Sequence, residues 1–577
     1  MPYKLQSWNL NELKTSSLEE EMKVLENLTK SLEDRRTLLT TTVPEKAFIT
    51  FLQDLESLKR RSEKVAYFYH LKVSENALDQ QSLAISTKVE HFLTELGNRL
   101  LFFNLWFKDL PEEKARELIK ASGPYHYYLE RMRTFKPYTL SEKEEKIINL
   151  KDNTGVGSLN SVYNILTSKL EYTYKGKKRT QEELLIHVRD KSPQVRKEAY
   201  TLLLSTYKNN REVIGEIYKS IVLDWRIENM TLRGYQSPLQ VRNIGNDLPD
   251  KAIETLLLVC EKNEKVFHRF FKLKQQKLKL KTFTRFDLYA PRGEEKNNIP
   301  YDKAVQMVLE SFRRFSPHFE QNAKLILDKN HVHSMPTKGK RSGAFCAAPN
   351  TQVAPYVLLT YKGNPRSVST LAHELGHGVH FLLSSKQTEF TNDACLPLAE
   401  TASIFSEMLL SETLLEKEPK QAETLLFDKL DDLYASIIRQ AGFVRFEMKA
   451  HEMLQEGKTT DDISKAYIAD LRRQLGPHVK VDDLYAYEWT YIPHIFHTPF
   501  YCYAYAFGNL LTLALYEMYK EKGSKFADKV IEMLEKGASE SPLEITKAVG
   551  IDICSEAFWQ KGFDVIEEMV TTLEKIK

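Results

Sequence analysis

The stretch that decides the fold is residues 355–383, PYVLLTYKGNPRSVSTLAHELGHGVHFLL. From residue 367 onward its apolar residues recur three and four positions apart, which predicts an amphipathic helix with Ser367 as its N-terminal cap. Gly376 and Gly378 each weaken a helix by about 1 kcal/mol relative to alanine. We therefore expect another element to pack very close to this helix.

The same helix carries the motif HExxH, formed by His373, Glu374 and His377. Residues four apart lie on one face of a helix, so both imidazoles can reach one zinc ion. Glu374 would then hold and deprotonate a zinc-bound water. The alternative is a buried helix with hydrogen-bonded histidines, but two histidines and a glutamate buried on one turn without partners would be costly. The pattern therefore favours a catalytic zinc site.

A catalytic zinc normally has a third protein ligand. The metzincin pattern HExxHxxGxxH is excluded because residue 383 is leucine. The next segment, LPLAETASIFSEMLLSETLLEK (396–417), reads as one helix with Glu400 and Glu407 seven apart on the same face. A carboxylate among apolar residues is expensive unless it binds a cation, so we predict Glu400 as the third ligand. Glu407 would accept a hydrogen bond from a ligating histidine.

Outward from this region the chain is mostly helical. Leu-rich, charged segments at 17–39 and 44–73 predict amphipathic helices, and Ser17 is a plausible cap of the first. Strand patterns occur at 170–180, 282–293 and 331–365, the first as a hairpin. The prediction is a mainly α fold with a small β-sheet in the middle and a domain boundary near residue 200.

Composition excludes several classes of protein. The net charge of +3, from 82 basic and 79 acidic residues, gives no indication of nucleic-acid binding. Five scattered cysteines argue against a disulfide framework and favour a reducing compartment. The N-terminal segment lacks the features of a secretory signal, and the uncharged stretch Tyr501–Tyr516 is too short to span a membrane. We expect a soluble, cytoplasmic protein without a membrane partner.

These segments carry a family resemblance. HELGHGVH followed by Glu400 in LPLAETASIFSE resembles the thimet-oligopeptidase-like zinc metallopeptidases, and is most similar to their oligoendopeptidase F branch. The resemblance covers roughly residues 120–577 and is most specific across 331–508. Further matching segments are KGKRSGAF (338–345), YIPHIFHTPFYCYAYAFG (491–508) and FWQKGFDVIEEMV (558–570).

The resemblance implies a gluzincin in which His373, His377 and Glu400 hold one zinc ion per chain and Glu374 is the general base. It also implies two helical lobes around a deep substrate channel, with the small sheet beside the HExxH helix. We divide the chain into an N-terminal helical domain, 1–200, and a zinc metallopeptidase catalytic domain, 201–577. The implied activity is hydrolysis of internal peptide bonds in short, unfolded oligopeptides.

The resemblance further implies substrate-binding residues. Gly343, Ala344 and Phe345 match the family's edge strand and glycine-rich turn, where a bound peptide adds as an extra strand. His331 and His333 match an ordinary strand before that turn, so we predict no second metal there.

The tyrosine-rich segment matches the family's hydrogen-bond donors to the oxyanion and to the substrate backbone. We predict His494 and Tyr503 as catalytic donors, and we assign substrate binding to His497, Tyr501 and Tyr505. The spacing departs from the family pattern, because Phe496 stands where many relatives have tyrosine and the segment is one residue longer. An aromatic core stripe is the alternative, and alternate residues on a helix would place at least one tyrosine in the core.

Two other functions remain open from the sequence. A helical zinc carboxypeptidase would share HExxH and the distal glutamate but remove C-terminal residues one at a time. A non-catalytic peptide-binding protein would keep the fold and lose the chemistry, which the intact motif argues against. The sequence gives no indication of side-chain preference, oligomeric state or regulation.

Overall fold

The computed structural model describes residues 2–15, 17–291, 299–417 and 422–576. The fold is mainly α-helical with small sheets, as predicted. The chain forms two compact units, each assembled from three separate segments. Unit 1 comprises Met1–Lys136, Glu295–Lys417 and Met518–Ile551, and unit 2 comprises Pro137–Glu294, Glu418–Glu517 and Asp552–Lys577. These units divide the chain differently from the expected boundary at residue 200, and that two-domain division stays a prediction.

The first segment of unit 1 is a series of amphipathic helices, and the two predicted helices are confirmed in it. Ser17 caps the first of them by accepting a hydrogen bond from the Glu20 amide. Their buried faces meet around an aromatic core that includes Phe48, Phe51 and Phe103. The helices are α1 (Leu18–Asp34), α2 (Glu45–Glu75), α3 (Gln80–Arg99), α4 (Leu101–Asp109), α5 (Glu112–Ala121) and α6 (His126–Thr134).

The first segment of unit 2 contains the predicted hairpin. Strands β1 (Tyr172–Tyr174) and β2 (Lys177–Arg179) pair antiparallel. Lys175 and Gly176 both have positive φ, 49° and 74°, as a two-residue type I′ turn requires. The helices here are α7 (Glu142–Thr154), α8 (Val156–Ser168), α9 (Gln181–Leu185), α10 (Pro193–Asn209), α11 (Arg211–Arg226), α12 (Pro238–Gly245), α13 (Asp250–Lys262) and α14 (Glu264–Lys277).

The strand predicted at 282–293 is wrong. Residues Arg285–Asp287 form a short 3-10 turn in which the Asp287 carboxylate caps its own start at Thr284. The only pairing described here is an isolated bridge between Thr284 and Lys480. Residues 292 and 293 lie outside the described part of the chain.

The middle segment of unit 1 contains a small three-stranded sheet and the HExxH helix. The sheet has the order β3–β5–β4, with β3 (Val332–His333) parallel and β4 (Phe345–Ala347) antiparallel to the central β5 (Tyr356–Leu358). Strand β4 is therefore an edge strand of this sheet. The helices are α15 (Tyr301–Phe315), α16 (Pro317–Asp328), α17 (Pro365–Ser384), α18 (Leu396–Ala399) and α19 (Thr401–Lys417).

The remainder of the described chain is helical, as the pattern after Pro365 predicts. The helices are α20 (Ala422–Leu433), α21 (Arg439–Gln455), α22 (Thr460–Leu475), α23 (His494–His497), α24 (Tyr503–Lys522), α25 (Ser524–Glu535), α26 (Pro542–Ala548) and α27 (Glu556–Lys575). Within the described ranges, no helix combines the length and the apolar character that crossing a bilayer requires.

Candidate metal centre

The HExxH motif lies on α17, whose start is fixed by a different residue from the one predicted. Asn364 is the N-cap, because its side chain accepts a hydrogen bond from the Ser367 amide at 2.9 Å. A second hydrogen bond runs the other way: the hydroxyl oxygen of Ser367, at the third helical position, accepts from the Asn364 amide at 3.2 Å. Pro365 occupies the first turn, where the missing amide hydrogen costs nothing.

Gly376 allows α17 to lie very close to α19, as its presence predicts. A Cβ atom on Gly376 would lie 2.6 Å from Ser406 Oγ and 2.7 Å from both the Ala402 carbonyl oxygen and Ser403 Cα. Two of these three contacts are backbone atoms, which cannot move aside without shifting α19. The spacing between the two helices therefore depends on the absence of a side chain at position 376.

The three predicted zinc ligands come together at this contact. His373 Nε2 and His377 Nε2 are 3.2 Å apart. Glu400 Oε2 lies 3.4 Å from the first and 3.5 Å from the second. The three side chains are 26%, 24% and 33% exposed, so an ion and a water molecule could reach them.

This triangle has the dimensions that zinc requires. A tetrahedral zinc ion with bonds of about 2.0–2.1 Å has ligand atoms about 3.3 Å apart. The donor set of two imidazoles and one carboxylate is also the set found in catalytic zinc sites with three protein ligands. The residues present therefore fit one zinc ion.

Residues 396–417 do not form one continuous helix, contrary to the prediction, because Glu400 interrupts it. Glu400 is the residue between α18 and α19. The backbone of the preceding Ala399 is hydrogen-bonded to the imidazoles of His377 and His380. This break in the helix places the Glu400 carboxylate beside both ligand histidines.

Glu407 contacts a ligand histidine as predicted. His373 Nδ1 donates to Glu407 Oε1 at 2.6 Å, which leaves Nε2 free to coordinate. Burial lowers the pKa of His373, but this hydrogen bond and the charges of Glu407, Glu374 and Glu400 outweigh it and raise the pKa to about 9.

The sequence interpretation missed Ser403. Its hydroxyl donates to Glu400 Oε2 at 2.9 Å and so orients the predicted ligand. The signal was available, because a serine three residues after a carboxylate near a helix start can reach back to it.

Glu374 is 6% exposed and lies beside the ligand triangle without belonging to it. Burial raises the pKa of Glu374 to about 7; Glu400 and Glu407 add to this effect, whereas His373 opposes it. A carboxylate whose pKa lies near neutral can both accept and return a proton, which is what a general base and acid requires.

Glu374 and the predicted ligands line a cavity of about 380 Å³ in unit 1. The edge strand contributes Phe345 and Cys346 to its wall, and the preceding Ala344 lines it as well. Gly343, before the strand, has a φ of 88°, which a glycine adopts without strain. The other lining residues are Ala348, His380, Phe381, Ser384, Asn392, Asp393, Ala394 and Ala399.

His331 and His333 are buried among protein partners, and the absence of a second metal there stays a prediction. Both are 1% exposed. His331 Nδ1 hydrogen-bonds to the Ala354 carbonyl at 3.1 Å and its ring stacks on Tyr356. His333 packs edge-on against Trp8.

The predicted oxyanion and substrate-binding residues of segment 491–508 lie in unit 2. Three of them form an aromatic cluster, His494, Tyr501 and Tyr505. The rings of His494 and Tyr501 are stacked, with centroids 6.0 Å apart and planes within 8°. Tyr505 stands edge-on to both, and its hydroxyl is 3.5 Å from His494 Nε2. All three side chains are partly exposed.

Tyr503 and His497 are not part of this cluster. Tyr503 is fully buried and its hydroxyl accepts a hydrogen bond from Asn246 at 2.8 Å. His497 Nε2 is paired with Asn164 Oδ1 at 2.9 Å. Their functional roles stay predictions, but the geometry makes Tyr501 and Tyr505 the better candidates to act with His494.

The close contact at Gly376 leads to the first prediction. We expect Gly376→Ala to lower the free energy of unfolding by about 1–3 kcal/mol, because the methyl group must displace backbone of α19. It should also weaken zinc binding, since Glu400 and Glu407 flank that contact. Thermal unfolding and a zinc titration measure both effects.

Gly97→Ala is the matched control. Gly97 also lies in a helix, but an added Cβ meets nothing within 4 Å. We expect this variant to be neutral or more stable by up to about 1 kcal/mol. Equal stability of the two variants would contradict the close packing.

An HExxH helix whose two histidines meet the distal Glu400, with the buried Glu374 of the motif beside them, defines in this mainly α-helical fold the site of a metallopeptidase. Comparison with known proteins gives the family. The model for peptidase family M3 matches residues 186–565, and the model for oligopeptidase F matches residues 106–172. The chain belongs to peptidase family M3.

Relatives and solved structures agree with this assignment. The oligoendopeptidase F homologue of Borreliella burgdorferi is 26% identical over 541 residues, which cover 89% of this chain and 88% of that protein. A crystal structure from Chlamydophila abortus has a TM-score of 0.88 at 24% identity and covers 99% of this chain and 98% of its own. Oligoendopeptidase F from Enterococcus faecium has a TM-score of 0.73 at 20% identity, covering 96% and 98%. The resemblance stated from the sequence is confirmed.

Proposed function

We propose that the protein is a zinc-dependent endopeptidase that hydrolyses internal peptide bonds of short, unfolded oligopeptides. The observation that carries the proposal is the triangle of ligand atoms in unit 1, with sides of 3.2, 3.4 and 3.5 Å. Membership of peptidase family M3 supports a peptidase, and relatives named oligoendopeptidase F support internal cleavage of oligopeptides.

His373, His377 and Glu400 would hold the ion in this proposal. When bound, zinc supplies a Lewis acid that makes water a usable nucleophile at neutral pH and polarises a carbonyl group. Glu407 and Ser403 keep the His373 ring and the Glu400 carboxylate in orientation through their hydrogen bonds. A preformed ligand set loses little freedom on binding the ion.

Glu374 carries the proton transfers. Its carboxylate takes a proton from the attacking water as the carbon–oxygen bond forms. It then gives that proton to the departing amine as the carbon–nitrogen bond breaks. The raised pKa of Glu374 supports both roles.

The edge strand β4 would bind the substrate backbone. Its pairing partner is β5 on one side, and no further strand of the described chain pairs with its other side. An extended peptide can add there as a strand, with main-chain hydrogen bonds to Gly343, Ala344 and Phe345. Such bonds do not depend on side chains, which is consistent with a broad range of peptides.

The family resemblance assigns hydrogen bonds to the oxyanion and to the substrate to residues of the aromatic cluster in unit 2. His494 is our candidate donor, with Tyr505 and Tyr501 beside it. Tyr503 and His497 are retained as candidates from the family resemblance alone. None of the five cysteines, all of which lie in the described ranges, forms a disulfide, which supports a reducing compartment such as the cytoplasm.

The proposal is tested on one defined decapeptide with an amidated C-terminus. We expect cleavage that a zinc chelator abolishes and added zinc restores, with product masses that correspond to internal cuts. The matched control is a natively folded protein, which should stay intact under the same conditions.

Two results would contradict the proposal. Stepwise loss of C-terminal residues from the free-acid peptide, together with resistance of the amidated peptide, would indicate a carboxypeptidase. Cleavage that survives complete removal of zinc would exclude the metal mechanism.

A further inference from the structure

The loop between α23 and α24 contains a strained residue. Phe500 is fully buried and has a φ of 59°, in the left-handed region that bulky residues rarely adopt. Such a conformation persists only where the surroundings hold it, and it is found often at functional sites. The next residue is Tyr501, which stacks on His494.

Two ionisable side chains hold this turn from distant parts of the sequence. The Phe500 amide donates to Glu447 Oε2 on α21 at 2.7 Å. Arg242 Nε on α12 donates to the Pro499 carbonyl at 3.0 Å. The ring of His451, one helical turn after Glu447, packs against the Phe500 ring with centroids 4.9 Å apart. The N–H and the C=O of the one peptide group between Pro499 and Phe500 are therefore both held by side chains.

Glu447 is an expensive residue to place here. It is 1% exposed, and its second carboxylate oxygen, Oε1, has no hydrogen-bond partner among the described residues. A buried carboxylate costs free energy, and an apolar side chain of similar size would be cheaper if packing were the only requirement. An apolar side chain, however, could not accept the hydrogen bond that the Phe500 amide donates.

We propose that Glu447 and Arg242 are positioning residues that hold the left-handed turn at Phe500 and thereby the stack of Tyr501 on His494. The inference rests on the proposed function for its catalytic consequence, because it assumes that this aromatic cluster acts on the substrate. Neither residue touches the substrate in this account.

The test uses Glu447→Leu, with Glu447→Gln as the conservative variant and Glu452→Gln as an exposed control on the same helix. The amide oxygen of glutamine can still accept from the Phe500 amide, whereas leucine cannot. Tyr501 is replaced by 3-fluorotyrosine so that its ring is observed directly by ¹⁹F NMR. We expect Glu447→Leu to shift or broaden the ¹⁹F resonance and to lower kcat by about 10²-fold with KM unchanged.

Glu447→Gln and Glu452→Gln should keep both the resonance and kcat of the parent protein. An unchanged resonance in Glu447→Leu overturns the positioning role, whatever happens to activity. A shifted resonance with unchanged kcat supports the positioning role and instead contradicts the proposed role of the aromatic cluster in catalysis.

A second measurement covers loss of stability. The kcat of Glu447→Leu is measured well below its Tm and corrected for the folded fraction, and we expect the loss of kcat to persist. A corrected kcat equal to that of the parent protein would show that Glu447 acts through stability alone and would overturn the inference. Arg242→Met, which releases only the Pro499 carbonyl, should lower kcat in the same direction as Glu447→Leu; an unchanged kcat would remove Arg242 from the proposal.

Discussion

Replacing Glu374 by glutamine is expected to leave the metal bound and to lower kcat for peptide cleavage by about 10³-fold or more. Glutamine has nearly the same shape but cannot take a proton from water. Glu374 supplies none of the three atoms of the ligand triangle, so the zinc content of the variant should not change. The measurement is kcat on a quenched-fluorescent peptide together with the zinc content of the same sample.

The control for this variant is Glu412→Gln, which changes an exposed glutamate on α19. It should match the parent protein in activity, zinc content and Tm. Parent-like turnover in Glu374→Gln would remove Glu374 as the general base. Loss of zinc in that variant would instead make Glu374 part of the metal site.

The second large effect is expected from Glu400→Ala, which removes one of the three proposed ligands. Loss of a residue that only orients a ligand costs about 10–100-fold in metal affinity, so loss of a ligand should cost more. Zinc stabilises the folded protein by a free energy that grows with the logarithm of its affinity for the native state. Glu400→Ala should therefore also abolish the rise in Tm that added zinc produces in the parent protein.

Glu407→Gln is the matched comparison, since it weakens the hydrogen bond to His373 Nδ1 without touching the triangle. We expect its zinc Kd to rise by about 10–100-fold, less than that of Glu400→Ala. Competition with a chelator of known affinity measures both constants. The reverse order would exchange the roles assigned to the two glutamates.

The metal-binding motif could be predicted from the sequence because its signal is local. His373, Glu374 and His377 follow from helical spacing alone, and Gly376 and Gly378 indicate close packing before any neighbour is known. Ser367 as the cap of α17 is a wrong prediction, because Asn364 followed by proline is the stronger cap pattern. Both cap patterns are local, so the correct one could be read from the sequence.

The helix break at Glu400 could not be predicted in the same way. Residues 396–417 have good helical periodicity, and the break accompanies hydrogen bonds between the Ala399 backbone and two histidines on α17. Tertiary contacts of this kind override local propensity. Glu400 could nevertheless be proposed from the sequence as the third ligand, because a carboxylate among apolar residues needs a partner wherever the helix ends.

The spacing within the tyrosine segment indicates which tyrosines lie together. Tyr501 and Tyr505 are four residues apart, the spacing that places two side chains on one helical face, whereas Tyr503 falls on another face. The structure pairs Tyr501 and Tyr505 with His494 and buries Tyr503. The turn at Phe500 had no local signal, because Glu447, which holds it, lies 53 residues away.

The central claim is that one zinc ion is held by His373, His377 and Glu400. Anomalous diffraction at the zinc absorption edge, from crystals of zinc-loaded protein, tests it most directly. We predict one strong peak per chain within about 2.2 Å of His373 Nε2, His377 Nε2 and a Glu400 carboxylate oxygen. A peak bound to other residues, or one with the Glu400 carboxylate turned away from it, would contradict the claim.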